Sequence, residues 1–283
     1  MTEAVDVDEA TVTVELDAGY FPVIDHGESD APPVVLLHGF PDSRRMWRYQ
    51  APALADAGFR VIAPDMRGLG DAPKPDETHE YVLPNAVGDV LGVLDSLDVE
   101  EAHLVGHDWG SAVAWLLASY HPERVERLVA LSVGAPGNSG YNTVEQRKGM
   151  WHTYFFQFDA AEDWLRHDDW GFLKDWTGRN GDYERYIEEL SRPGALSAAL
   201  NWYRANAKPR PPGEGIFDYP NVECPAMGVW SDGDHSMTEK QMKRSEEKVD
   251  GEWRYEKVEG ASHWLALDRP EEVNSLLLDF LGE

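Results

Sequence analysis

Residues 104–115 read LVGHDWGSAVAW and place a single carboxylate between two glycines. The stretch follows an apolar run and precedes a stretch with helical periodicity, so it predicts a tight turn from a strand into a helix. An acid between glycines is often no more than a turn or N-cap residue. In this setting the pattern instead indicates a nucleophile elbow, in which Gly106 and Gly110 relieve steric clashes and Asp108 points out above the sheet.

The segments on either side of this turn alternate between strand and helix. Short apolar runs with β character occupy residues 33–39, 59–65, 101–106, 127–133, 226–232 and 252–258. They are too continuous for half-solvated strands, so they predict parallel strands buried on both faces. With helical patterns between them, they predict an α/β fold with a doubly wound, mostly parallel sheet. Residues 10–16 and 20–25 predict an opening hairpin.

The strand rhythm stops between residues 138 and 212, where the sequence is helix-compatible and rich in aromatic residues. We predict a core formed by residues 1–137 and 213–283, interrupted by a helical cap of residues 138–212. The segment KPRPPGEG (208–215) would return the chain to the core. Aromatic rings in such a cap either line a pocket or pack against one another.

The charge balance excludes several classes of partner. The chain has 283 residues, with 52 acidic and 25 basic side chains and a formal net charge of −27. Nucleic acids and anionic membranes are bound through Lys and Arg, so neither is an expected partner. A dispersed acidic coat suits a cytoplasm with high salt and predicts a halophilic source.

The cysteine content and the apolar runs bear on the compartment. The single cysteine, Cys224, excludes an internal disulfide and a cysteine-rich metal site. An acidic first segment and the lack of a run of about 18 apolar residues predict a cytoplasmic protein without a membrane span. The oligomeric state stays open.

A nucleophile at residue 108 needs a base and a group that orients the base, in the chain order nucleophile, acid, histidine. The late strand is followed by WSDGDHSM, which offers Asp232 and Asp234, and the loop before the last helix contains His263. All the partners therefore arrive in the required order. A lone histidine is often a packing residue, but the small-residue loop around His263 leaves it free to reach the edge of the sheet.

The residues after the first buried strand, HGFP (38–41), complete the set of candidate catalytic groups. The backbone N–H groups of Phe40 and Trp109 are positioned by the sequence order to converge on one oxygen, as in an oxyanion hole. The same four residues also read as an ordinary strand-ending turn, and the two interpretations are compatible.

Over essentially its full length the chain resembles the α/β-hydrolase superfamily. Within it, HGFPDSRRMWRYQAPALADAGFRVIAPDMRGLGD (38–71), GHDWGSAVAW (106–115) and GALSAALNWYRAN (194–206) resemble the epoxide hydrolases. The resemblance implies Asp108 as nucleophile, His263 as base and Tyr203 in the cap as hydrogen-bond donor to the epoxide oxygen. It implies Asp234 rather than Asp232 as the orienting acid, because the family places this acid about four residues beyond the last aromatic of the strand.

The family's second cap tyrosine is missing. In MWHTYFFQFD (150–159) His152 stands at its place, and Tyr154 follows two residues later. With Tyr203, the resemblance therefore implies His152 and Tyr154 as candidates to stabilise the leaving oxygen or halide. A tryptophan–histidine pair here is similar to the fluoroacetate dehalogenases, so a dehalogenase of haloacetates or haloalkanes with the same triad is the alternative. However, Trp109 and Ala112 stand where fluoroacetate dehalogenases carry arginines, and Phe40 stands where haloalkane dehalogenases usually carry asparagine. A non-catalytic ligand-binding relative is a third, remote hypothesis.

An acid at the elbow also defines the chemistry. A serine that attacks an sp³ carbon forms an ether that water does not cleave, whereas Asp108 forms an ester that water does cleave. Esterase, lipase and peptidase activities are therefore disfavoured. The expected partners are a small apolar electrophile and water, and no metal or organic cofactor is required.

Overall fold

The computed structural model describes residues 6–208 and 219–283. Its strands are β1 (Thr11–Leu16), β2 (Gly19–His26), β3 (Pro33–Leu37), β4 (Arg60–Pro64), β5 (Ala102–His107), β6 (Val125–Leu131), β7 (Ala226–Ser231) and β8 (Trp253–Val258). They form one eight-stranded sheet in the order β1-β2-β4-β3-β5-β6-β7-β8. The pairs β1–β2 and β2–β4 are antiparallel and all other pairs are parallel. The predicted α/β fold with a mostly parallel sheet is confirmed.

The burial of the strands explains why their sequences are continuously apolar. All six residues of β5 and all six of β7 are buried, as expected for strands covered by helices on both faces. The predicted opening hairpin is also confirmed, since β1 and β2 pair from Thr11 opposite Ile24 to Leu16 opposite Gly19.

The helices are α1 (Gln50–Asp56), α2 (Leu83–Ser96), α3 (Trp109–Tyr120), α4 (Val144–Gly149), α5 (Trp151–Phe155), α6 (Ala161–Trp176), α7 (Tyr183–Leu190), α8 (Ala195–Asn206), α9 (Glu239–Lys243), α10 (Leu265–Asp268) and α11 (Pro270–Leu281). Side chains of α2 and α3 share one apolar cluster with alternate residues of the sheet, while side chains of α1 and α11 share the other. Along β5, Leu104 belongs to the first cluster and Val105 to the second. The core is therefore two apolar layers separated by the sheet.

Helices α4 to α8 are inserted between β6 and β7, and α6 departs from helical geometry at residues 167–170. Hydrogen bonds attach this insertion to the core: Trp202 Nε1 donates to the carbonyl of Arg67 at 2.8 Å, and Tyr186 Oη donates to Asp42 Oδ2 at 3.0 Å. The domain boundaries themselves remain a prediction. The second boundary, at residues 212 and 213, and most of the predicted return segment lie outside the described residues.

Within residues 6–208 and 219–283, none of the helices combines the length and the apolar character that spanning a membrane requires.

Candidate active site

The strand β5 ends at His107 and helix α3 begins at Trp109, so Asp108 alone makes the turn. Asp108 has φ 53° and ψ −120°, a backbone conformation that L residues rarely adopt and that costs about 1–3 kcal/mol. The two glycines are required by space: a Cβ on Gly106 would lie 2.5 Å from the carbonyl oxygen of Gly110, and a Cβ on Gly110 would clash with the carbonyl of Leu37. Strain of this kind, held by close packing, fits an exposed nucleophile.

The two carboxylate oxygens of Asp108 have different partners. Oδ1 accepts a hydrogen bond from the backbone N–H of Phe40 at 2.8 Å. Gly39 makes this approach possible, because a Cβ at that position would clash with Oδ1 itself. Oδ2 faces the ring of His263, with Nε2 at 3.6 Å. One oxygen is therefore fixed by the core loop, and the other is turned toward the histidine.

The other nitrogen of the His263 ring contacts a second carboxylate. Nδ1 lies 2.8 Å from Asp234 Oδ2, and Asp234 Oδ1 accepts the backbone N–H groups of Ser236 at 2.8 Å and Met237 at 2.9 Å. Asp232, the other candidate, is exposed instead and accepts the N–H of Gly260 at 2.7 Å. The structure thus brings residues 108, 234 and 263 together and leaves residue 232 outside.

The charges of the two aspartates determine the protonation state of His263. Burial alone would lower the pKa of this imidazole, but the negative charge of Asp234, its hydrogen bond with Nδ1 and the nearby charge of Asp108 outweigh burial and raise the pKa to about 10. Burial likewise tends to raise the pKa of Asp108, and the contact with His263 lowers it on balance. At neutral pH the resting site is an imidazolium between two carboxylates.

This raised pKa predicts how stability depends on pH. A group with a higher pKa in the folded protein stabilises the fold fully below its ordinary pKa of 6.5, and the contribution disappears as the pH rises through about 10. We therefore expect the difference in Tm between the parent protein and His263→Gln to be largest below pH 6.5 and to shrink toward pH 10. Thermal unfolding at a series of pH values measures it, and a difference that stays constant over this range would contradict the resting imidazolium.

Asp108 opens into a cavity of about 100 Å³ between the core and the inserted helices. The side chains that line it are mostly apolar or aromatic, and they include Leu83, Val133, Met150, Trp176 and Met237. Such a space accepts a small apolar molecule and keeps most water away from the carboxylate.

Four polar side chains of the inserted helices line this cavity, and two of them, Tyr203 and His152, were predicted from the sequence. Tyr203 is 3 % exposed and its ring is packed edge-on against those of Phe40, Trp109, His152 and Phe156, with centroids 4.9–5.8 Å apart. Burial and then the nearby charge of Asp108 hold its pKa well above the usual range, so the hydroxyl keeps its proton.

His152 lies beside it, and burial lowers its pKa to about 4. Its imidazole is therefore neutral.

Tyr154, the third candidate for stabilising the leaving group, is not among the residues that line the cavity. Residues two apart on a helix do not face the same way, so on α5 the face that brings His152 to the cavity turns Tyr154 away from it. The Tyr154 hydroxyl accepts a hydrogen bond from Arg147 Nη1 at 3.1 Å.

Other residues hold the histidine loop without having been identified from the sequence. The carbonyl oxygen of His263 accepts hydrogen bonds from His107 Nε2 at 2.9 Å and from Ser132 Oγ at 2.6 Å. His107 lies inside the elbow motif, and its place directly before Asp108 is a sequence signal that could have identified it. Ser132 offered none, because its partner is 131 residues away in sequence.

Comparisons with known proteins agree with this architecture. A sequence profile of the alpha/beta hydrolase fold matches residues 32–270. The AB hydrolase superfamily protein YfhM of Bacillus subtilis is 36 % identical over 90 % of this chain and 92 % of that protein. Epoxide hydrolase A of Mycobacterium tuberculosis is 31 % identical over 92 % of this chain and 93 % of that protein. A solved structure of an epoxide hydrolase from metagenomes of hot environments superimposes with a TM-score of 0.85 at 28 % identity, covering 96 % of this chain and 98 % of that chain.

Proposed function

Because this chain belongs to the α/β-hydrolase family and is an epoxide hydrolase-like enzyme, we propose that it opens epoxides to vicinal diols through an alkyl ester on Asp108. The observation that carries the proposal is the asymmetry of the Asp108 carboxylate. Oδ1 is bonded to the N–H of Phe40, while Oδ2 faces His263 at the base of an apolar cavity.

In the first step Asp108 Oδ2 attacks a carbon of the epoxide, and the ring oxygen leaves as an alkoxide on the same molecule. The hydroxyl of Tyr203 donates to this oxygen as charge develops. A buried tyrosine that keeps its proton, fixed by four surrounding rings, is suited to that task. The product of the step is an ester whose carbonyl oxygen is Oδ1.

The second step follows from the electrostatics of the first. Alkylation removes the negative charge of Asp108, so this residue no longer raises the pKa of His263, while burial still lowers it. The imidazolium then releases its proton, which the alkoxide formed in the first step takes up to become a hydroxyl, and the neutral imidazole can act as a base when a base is needed. It takes a proton from water, the hydroxide attacks the ester carbonyl, and the N–H groups of Phe40 and Trp109 hold the oxyanion. The intermediate then collapses by breaking the bond between the carbonyl carbon and Oδ2, and the departing alkoxide takes the proton of the new carboxyl group, which leaves the diol, the Asp108 carboxylate and the imidazolium.

The dehalogenase alternative is not favoured. The relatives described above are named epoxide hydrolases or superfamily members. His152 reaches the cavity, but its imidazole is neutral and offers no positive charge to a departing halide. A parallel turnover assay with a styrene-type epoxide, a haloalkane and fluoroacetate tests the proposal. Diol from the epoxide without halide from the other two supports it, and halide release without any diol overturns it.

We predict that Tyr203→Phe slows alkylation by at least about tenfold and leaves ester hydrolysis nearly unchanged, because only the first step needs a donor to the alkoxide. His152→Tyr, which restores the family's usual pair of tyrosines, should preserve or raise epoxide turnover if the cavity accommodates the larger ring. Stopped-flow alkylation rates on one epoxide measure both effects.

Tyr154→Phe is the matched control, since its hydroxyl contacts Arg147 rather than the cavity. Equal alkylation rates in Tyr203→Phe and the parent enzyme would remove Tyr203 from the proposal.

We also propose that the protein is adapted to a cytoplasm with high salt, on the basis of its net charge of −27. Mutual repulsion of the acidic side chains is screened as the Debye length falls from roughly 30 Å at 0.01 M to roughly 3 Å at 1 M salt. We therefore expect Tm to rise over this range of KCl concentration. A Tm that is constant or falls would contradict the proposal.

A further inference from the structure

Gln146, on the first helix of the inserted segment, has a fully buried side chain with no role in the steps above. Its Nε2 donates to the backbone carbonyl of Ser236 at 2.7 Å. Its Oε1 accepts from the backbone N–H of Thr238 at 2.9 Å and from the Thr238 hydroxyl at 2.8 Å. One amide thus satisfies both ends of the turn formed by residues 236–238, which follows β7 in the core.

A second contact presses the same helix against the same loop. A Cβ on Gly149 would lie 2.6 Å from the carbonyl oxygen of His235 and 2.7 Å from that of Ser236. The backbones therefore approach so closely that only glycine fits. On the core side, Trp230 Nε1 donates to the carbonyl of Met237 at 2.9 Å. The turn is held between α4 and the strand.

This turn carries the donors that orient the catalytic acid. The N–H groups of Ser236 and Met237 bind Asp234 Oδ1, and Asp234 Oδ2 in turn binds His263 Nδ1. The chain of contacts runs from Gln146 through the turn to Asp234 and from there to the imidazole. Each link is a hydrogen bond of 2.7–2.9 Å.

We propose that Gln146 is a positioning residue for the second half-reaction: through the turn 236–238 it fixes Asp234, and it thereby keeps His263 aligned to hydrolyse the alkyl ester. The inference rests on the proposed function for its kinetic consequence. Alkylation requires only Asp108 and its donor, so Gln146 acts on ester hydrolysis alone.

This selectivity has a distinctive kinetic signature. When hydrolysis of a covalent intermediate slows and limits turnover, kcat and KM fall together and kcat/KM is retained. A residue that merely stabilises the fold lowers the fraction of active enzyme instead, which reduces kcat and leaves KM unchanged.

The test compares Gln146→Met, which keeps the volume and removes the hydrogen bonds, with Thr238→Val, which removes only the hydroxyl contact. The matched control is Gln50→Met, because Gln50 is also fully buried and donates to the core carbonyl of Ala266 at 3.0 Å. We expect Gln146→Met to lower kcat and KM about ten- to a hundredfold with kcat/KM within about twofold. Thr238→Val should do the same by a smaller factor, and Gln50→Met should show no such split.

A second measurement does not depend on activity. Hydrogen exchange of the amides of Ser236 and Met237 should be faster in Gln146→Met than in the parent protein and Gln50→Met, because these N–H groups lose their fixed acceptor geometry. Faster exchange together with the kinetic split supports the proposal.

Three outcomes separate the possible failures. Unchanged exchange, or a fall in kcat without a fall in KM, overturns the role of Gln146. If Gln146→Met does not fold, Thr238→Val decides by the same two criteria. If the parent enzyme opens no epoxide, the proposed function fails. The exchange measurement alone then still supports or overturns the role of Gln146 in holding the turn 236–238.

Discussion

Asp108→Asn is expected to abolish diol formation, with a loss of at least about a thousandfold, because the amide is a poor nucleophile toward an sp³ carbon. The fold should remain intact. The amide is nearly isosteric with the carboxylate, so the close packing that holds this turn at φ 53° and ψ −120° should hold asparagine in the same conformation. Steady-state turnover of a styrene-type epoxide and circular dichroism of the folded protein measure the two expectations.

The matched control is Asp232→Asn, which changes the exposed acid of the neighbouring turn and should retain turnover. Mass spectrometry of the peptide containing residue 108 must exclude slow hydrolysis of the new amide back to aspartate. Near-normal activity of the verified Asp108→Asn protein would contradict the nucleophile assignment.

His263→Gln is expected to stop the cycle halfway. Ester hydrolysis should fall by about 10²- to 10⁴-fold, the usual contribution of a general base, while alkylation of Asp108 continues. The enzyme should therefore accumulate the alkyl ester. Incubation with excess epoxide, proteolysis and mass spectrometry should find the peptide containing Asp108 heavier by the mass of one substrate molecule.

A surface histidine provides the control: His79→Gln changes an imidazole that is 74 % exposed and should turn over normally without an adduct. Unchanged diol production by His263→Gln, with no adduct on Asp108, would remove His263 from the mechanism.

The sheet and its hairpin could be predicted from the sequence because burial on both faces leaves a strong local signature. The runs at 101–106 and 226–232 predicted β5 and β7 to within about one residue at each end. The order of the strands could not be predicted in the same way. The placement of β3 between β4 and β5 depends on contacts between distant segments, and no short window of sequence contains them.

The residues of the active site likewise divide into those that a short stretch of sequence predicts and those that depend on distant segments. The elbow around Asp108 depends on the two glycines beside it in sequence, so five consecutive residues are enough to predict it. The choice between Asp232 and Asp234 needed the family resemblance, because both lie in one turn and their chemistry is the same; in the structure, Asp234 contacts His263 and Asp232 does not. For Tyr154 the sequence showed only its proximity to His152, and residues two apart on a helix do not face the same way.

The contact between Gln146 and the turn 236–238 could not be predicted from the sequence for a further reason. Its partners are 90 and 92 residues away, and a buried glutamine in a short helix has no sequence signature of its own. Hydrogen bonds between an inserted segment and the core are determined by how the two parts pack, and only the folded structure reveals them.

The unequal partners of the two Asp108 oxygens give them unequal fates over many catalytic cycles. Oδ1, bonded to Phe40, becomes the ester carbonyl oxygen and returns to the carboxylate unchanged. The oxygen facing His263 leaves with each diol and is replaced by one from water. In water enriched with ¹⁸O the first diol from each enzyme molecule would thus be unlabelled and later ones labelled. As long as the carboxylate does not rotate, one of its oxygen atoms dates from the synthesis of the protein, and the other is renewed from solvent at every turnover.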